Sequence, residues 1–204
     1  MKFHAIGLPV NPPRHAQPPS FSSQQFRAAL GMFATGVTVV TARTSDGTLI
    51  GLTANSFNSV SLDPPLVLVC VGHEARTHAH LHAKKRFGVN VLAADQRAIS
   101  EYYARPSETH KHAEEAGARF NRTSHGTPVL HGALAYLECR LHSAQDAGDH
   151  TIFIAEVEDV MVREGDPLLF YRGRYRNIGE ELPPMAKGEQ DNPADASRVR
   201  HRKR

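Results

Sequence analysis

The sequence predicts a mainly β protein: a small β-barrel with short helices inserted between strands. Three observations carry this. Apolar, β-branched runs of strand length recur along the 204 residues. Turn-forming clusters separate them. The helical patterns are short and do not follow every strand, as they would in a doubly wound fold. Closing such a sheet into a barrel removes its exposed edges.

Taken in order, residues 1–20 hold five prolines and no sustained period, and read as an irregular arm. Ser22 is placed to cap a helix, with Gln25 in the reciprocal position of a capping box. Phe26, Leu30 and Phe33 share one helical face, and the helix is expected to end near Thr35 and Gly36. Residues 37–44 and 49–53 form two strands around the Ser45-Asp46-Gly47 turn, an expected hairpin. Residues 66–71 and 87–92 read as covered strands, with a helix over 77–85 between them. Another helix is expected over 96–103, while 107–119 carries no clear pattern. Residues 133–141 and 151–162 are long strand candidates, with 146–149 as their loop. Pro167 precedes a short strand over 168–171. From Glu181 onward the chain is polar and poor in aromatics. The expected organisation is an arm (1–20), one folded domain (21–178) and a polar, basic, flexible tail (179–204).

The formal charge is +3 and the pI is near 9.0. Much of the excess lies in the last seven residues, so it points to a solvated end rather than a nucleic-acid partner. The motifs of nucleic-acid recognition are missing elsewhere. No stretch reaches the length of a membrane span, and the first residues lack the apolar core of a secretory signal. Cys70 and Cys139 lie in apolar surroundings, which suits reduced thiols. A cytoplasmic protein with no membrane association is the expectation.

Several chemistries are not signalled. There is no GxGxxG opening a helix, no Walker A loop and no GxSxG elbow. His78 and His82 would share a helix face, but HExxH is missing and no third ligand is evident. No metal is expected. Glu156 and Glu158 share a strand parity, which does not by itself place two carboxylates around a bond.

The odd stretch is TANSFNS at 53–59: small hydroxyl and amide side chains between strands that read as buried. With TGVTVVT (35–41), SLDPP (61–65), RT (76–77), FGVNVL (87–92), GDHTI (148–152) and LFYRGRY (169–175), it makes a set in a fixed order. In this combination the chain resembles the small flavin reductase family, the reductase components of two-component flavin-dependent monooxygenases. The resemblance spans about residues 22–178. It implies an FMN-binding split β-barrel acting as a homodimer. It also implies reduction of FMN or FAD by NADH or NADPH, with reduced flavin passing to a separate monooxygenase.

By that resemblance, Thr38, Thr53, Ala54, Asn55, Ser56 and Ser59 line the flavin ring or ribityl chain. Small residues let backbone approach a ring, and their donors suit the charge that develops on the reduced pyrimidine edge. Each hydroxyl is equally suited to a local turn bond, and Phe57 suits the core better than stacking. Cys70, Val71 and Gly72 end a strand that lines the site. Arg76 and Thr77 form the phosphate side, Thr77 as a helix cap and Arg76 as a cation. Lys84 and Lys85 are alternatives there, or a solvated pair. Phe87 and Asn90 line the pocket, or pack in the core and bond at a strand edge. His150 points to the nicotinamide side and is the one catalytic assignment, with Asp149 available to set its tautomer. Tyr171 and Arg172 contact a dinucleotide at the pocket mouth, or form a solvated strand. One departure from the family pattern is Ala155, where glycine is expected; its extra methyl would narrow the room near the ligand.

Two other functions stay open at this point. One is a flavin-dependent oxidase on a similar barrel. The other is a flavin or haem carrier without turnover.

Overall fold

The computed structural model describes residues 20–105 and 113–182. Most of the expected arm, most of the tail and part of the 107–119 segment lie outside the described residues, as does the side chain of Lys84.

Helix α1 spans Ser23–Leu30, and the Ser22–Gln25 capping box forms as the sequence predicts. It stops at Gly31, short of the expected end. Met32 and Phe33 close two tighter turns onto Ala29 and Leu30. Thr35 is instead drawn into a strand pair with Phe170. Tertiary pairing there outweighs the helical period.

The strands are β1 (Thr35–Gly36), β2 (Thr38–Arg43), β3 (Leu49–Ala54), β4 (Asn58–Leu62), β5 (Pro65–Gly72), β6 (Arg86–Val91), β7 (Phe120–Arg122), β8 (Pro128–Leu130), β9 (Ala135–Ala147), β10 (His150–Val162), β11 (Leu169–Tyr171) and β12 (Arg174–Arg176). Two further helices are α2 (Arg76–Lys84) and α3 (Arg97–Tyr103). Seven strands form one antiparallel sheet in the order β3-β2-β6-β9-β10-β5-β4. Smaller sheets join β1-β11-β12 and β7-β8. The predicted β2–β3 hairpin forms, with Gly47 in the left-handed region.

The main core shows how the large sheet bends. Val40 and Ile50, near one end, pack in the same cluster as Val69 and Phe153, near the other. Leu81 of α2 is buried among them. The sheet therefore curls on itself. Hydrogen bonding does not complete the expected closure, because the end strands β3 and β4 are not paired. α3 packs beside β3, and its Tyr103 ring lies over Gly51. That covers one face of β3 at Gly51. A second cluster, built on Val39, Leu92, Ile99 and Leu168, fills the space under α3.

β9 and β10 are longer than expected, thirteen residues each, because the loop between them shrinks to Gly148-Asp149. Gly148 takes φ 67°, which suits the first position of a two-residue hairpin turn. Ala155 is fully buried beside Phe153 and Val69. Its methyl is thus a core methyl, which corrects the expectation that it narrows a ligand site. Among the described residues no helix is long and apolar enough to cross a membrane.

Candidate functional site

A cleft of about 370 Å³ opens between the β1–β2 segment and the β3–β4 link. Phe33, Thr35, Gly36 and Thr38 form one wall; Asn55, Phe57 and Asn58 form the other. Thr38 Oγ1 donates to the carbonyl of Ala54 at 2.8 Å, tying the walls at their base. Among the described residues Thr35 Oγ1 is buried with no hydrogen-bond partner. A hydroxyl without a partner costs free energy unless something else supplies one. Asn55 is exposed at the rim, and Phe57 is half-buried against the main core.

Ser56 holds the β3–β4 link in place. Its Oγ donates to the Cys70 carbonyl at 2.9 Å and accepts from the Cys70 N–H at 3.1 Å. β4 has already parted from β5 at this point, so the side chain takes the place of a strand partner. Ser56→Ala strands both groups and is expected to lower stability by about 1–2 kcal/mol, read from denaturant unfolding. A wild-type midpoint would show that water replaces the hydroxyl without loss.

Two residues beyond Cys70, about 7 Å along the strand, β5 ends at Gly72, which pairs with His150. His150 is half-exposed, and its Nδ1 lies 2.7 Å from Asp149 Oδ1. That bond, first among the causes, holds the Asp149 carboxyl below its usual range. A carboxylate can only accept. Nδ1 therefore carries a proton, and Nε2 lies on the Gly72 side of the ring. A side chain at position 72 would stand in van der Waals contact with Nε2, at 3.6 Å from its Cβ, so glycine leaves this face clear.

Just beyond, the Ala75 N–H donates to the Gly72 carbonyl and α2 begins. Ala75, not Thr77, is the cap residue, and no side chain caps the helix. This corrects the capping role expected of Thr77. Thr77 lies inside the first turn, with Oγ1 buried and without a partner among the described residues. Arg76 is exposed beside it.

Asn55, Ser56, Cys70, Gly72 and His150 thus lie along one continuous edge, and Thr38 joins Asn55 in the cleft. Other expectations need correction. Asn90 is fully buried: its amide donates to the Val39 carbonyl and to Thr41 Oγ1, and its oxygen accepts from the Leu130 N–H. No polar atom is left for a ligand. Phe87 is fully buried in the core. Both follow from the central place of β6, which is covered on both faces. The Val71 side chain also faces the core, which leaves only its backbone on the edge. Thr53 Oγ1 donates to the Ser100 carbonyl of α3, away from the cleft. Ala54 is buried at the cleft base. Ser59 is exposed on β4.

Tyr171 and Arg172 belong to the small sheet. Arg172 and Gly173, both at positive φ, turn β11 into β12. The Arg172 N–H donates to the Gly31 carbonyl. The β1–β11 pair sets both residues next to the cleft wall at Thr35. Sequence reasoning passed over Thr35 as a site residue, since an unmet hydroxyl becomes visible only once the surrounding chain is placed.

Comparison with known proteins follows the same lines. Residues 30–179 match the family model described as flavin reductase like domain. The chain is 44% identical over 160 residues to the FMN reductase (NADH) of Agrobacterium fabrum, covering 78% of this chain and 88% of that protein. It is 38% identical over 169 residues to the reductase subunit of a flavin-dependent monooxygenase from Rhodococcus jostii, covering 82% and 84%. Among solved structures it resembles the Streptomyces globisporus NADH:FAD oxidoreductase in complex with NAD and FAD fragments. The TM-score is 0.71 with 40% identity, covering 78% of this chain and 94% of that one.

Proposed function

The chain belongs to the flavin reductase-like family, and on that premise we propose that it is an NAD(P)H-dependent flavin reductase that supplies reduced flavin to a separate monooxygenase. The observation that carries the reading is the edge from Asn55 through Cys70 and Gly72 to His150, next to a cleft with an unsatisfied Thr35 hydroxyl. A flat ring with an amide-bearing edge needs small residues, a few donors and one open face, and these residues fit it. FMN or FAD held there would supply the two-electron acceptor for a hydride from NADH or NADPH.

The chain's own residues bind and orient. Thr35, Thr38, Asn55 and the backbone near Ala54 and Ser56 supply the polar contacts of the cleft. Ser56 fixes the wall instead of meeting the ligand through its hydroxyl. Gly72 keeps the approach to His150 clear, and His150 positions the nicotinamide from the opposite side. Arg76, Thr77 and the uncapped start of α2 are suited to a phosphate. Tyr171 and Arg172 flank the mouth.

The curled seven-stranded sheet supports a split β-barrel, with the folded unit over 21–178. A homodimer is supported by α1, none of whose residues is buried although Phe26 and Leu30 share a face. Leu62 and Val162 are 94% and 83% exposed as well, more apolar surface than a lone chain needs. Light scattering should give twice the monomer mass, and a Phe26→Glu/Leu30→Glu double variant should weaken association at least about tenfold. A monomeric wild type would reject the dimer. The free thiols of Cys70 and Cys139 suit the cytoplasm.

The function is tested by mixing protein, FMN and NADH without oxygen and following loss of the oxidised-flavin absorbance, then repeating with FAD and NADPH. Acceleration over a protein-free control is expected. No acceleration with any pair would reject the reading.

A further inference from the structure

Behind the hairpin that carries His150, three side chains with metal-binding atoms converge from separate elements. His73 follows β5, His78 lies in α2, and Asp146 stands one residue before the end of β9. Their ligand atoms all lie within 4.8 Å of one another. His73 Nε2 stands 3.7 Å from Asp146 Oδ1. Four-coordinate zinc, with bonds of about 2.0–2.2 Å, sets its ligand atoms about 3.3–3.5 Å apart.

The cradle is held from behind. Thr151 is fully buried and is the cross-strand partner of Asp146. Its Oγ1 donates to Asp146 Oδ1 at 2.6 Å and so accepts from His78 Nε2 at 2.7 Å, which leaves Nδ1 as the His78 nitrogen with a lone pair for a metal. Phe153 packs against the His78 ring, with centroids 5.5 Å apart, and fixes its plane. His73 and Asp146 are exposed, so an ion has an entry path. Two imidazoles and one carboxylate on rigid supports, with a fourth position open to water, form a set that suits zinc over magnesium or calcium.

We propose that His73, His78 and Asp146 bind a divalent transition-metal ion of the zinc class, with Thr151 as the residue that positions Asp146. The site adjoins the hairpin that carries His150 and the first turn of α2, but its metal-binding test does not depend on the reductase reading. Occupied, it would tie the Gly148-Asp149 hairpin to the first turn of α2.

The test uses the whole chain stripped by a chelator. Cobalt(II), a spectroscopic stand-in for zinc, is titrated in and its visible d–d bands recorded; zinc is then titrated by calorimetry. One tetrahedral cobalt site displaced by zinc at one equivalent is expected. His73→Ala and Asp146→Asn, both at exposed positions, should abolish the bands while the metal-free melting temperature stays near wild type. Thr151→Val should weaken zinc binding about tenfold or more, with affinity recovered in Thr151→Ser. His131→Ala, outside the cradle, should bind as wild type. Bands that survive in a His73→Ala/Asp146→Asn double variant, or no stoichiometric binding by the wild type, would overturn the proposal.

Discussion

His150→Ala is expected to slow flavin reduction on the order of 100-fold while flavin affinity changes far less. The side chain is half-exposed at the start of β10, so its loss leaves no core cavity and the variant should fold. Its orientation is set twice: by the strand pair with Gly72 and by the bond to Asp149. On the proposed reading, a ring held in this way would contribute to the approach of the hydride donor more than to the retention of flavin. Stopped-flow reduction under argon, beside a flavin titration by fluorescence, separates the two quantities. Equal losses in both would place His150 on the flavin and not on the nicotinamide. Asp149→Asn should produce a smaller loss of the same kind, because an amide can still accept from Nδ1.

The second large effect concerns stability. Gly88→Ala in β6 is expected to destabilise the protein by about 2–3 kcal/mol, seen as a lower thermal midpoint. A Cβ at this position would stand 2.6 Å from the Tyr136 ring, 2.8 Å from Thr41 Oγ1 and 3.0 Å from the Pro128 carbonyl. Tyr136 is almost fully buried and cannot swing out. Thr41 is tied to the same Pro128 carbonyl at 2.8 Å, so it cannot give way without losing that bond. An unchanged midpoint would mean that β6 and β8 move apart more easily than this packing allows. Gly36, with nothing near its missing Cβ, is the control that should tolerate alanine.

The strands that bury one face could be read from the residues alone. β2, β3, β5 and β6 carry runs of apolar residues, and Ser45-Asp46-Gly47 announces the first hairpin. β4 was not legible, because an edge strand exposed on nearly every residue leaves no alternation to read. Nor was the fate of Asn90. An amide before a strand end looks the same whether it meets a ligand or, as here, binds three partners across the core. The phosphate-side pair Arg76-Thr77 was found, but the start of the helix was misplaced. Ala75 takes the cap: its backbone is extended and its carbonyl accepts the His78 N–H that opens the helix. The Asp146–Thr151–His78 network joins residues brought together by two strand pairings and a helix, which no local pattern encodes.

Burial pushes the Cys70 thiol above its ordinary pKa and the Cys139 thiol up to about 12. Both therefore stay protonated at neutral pH. Reduced flavin that meets dioxygen yields hydrogen peroxide, and peroxide attacks thiolates far faster than thiols. Thiols held protonated in this way are slow targets for such an oxidant.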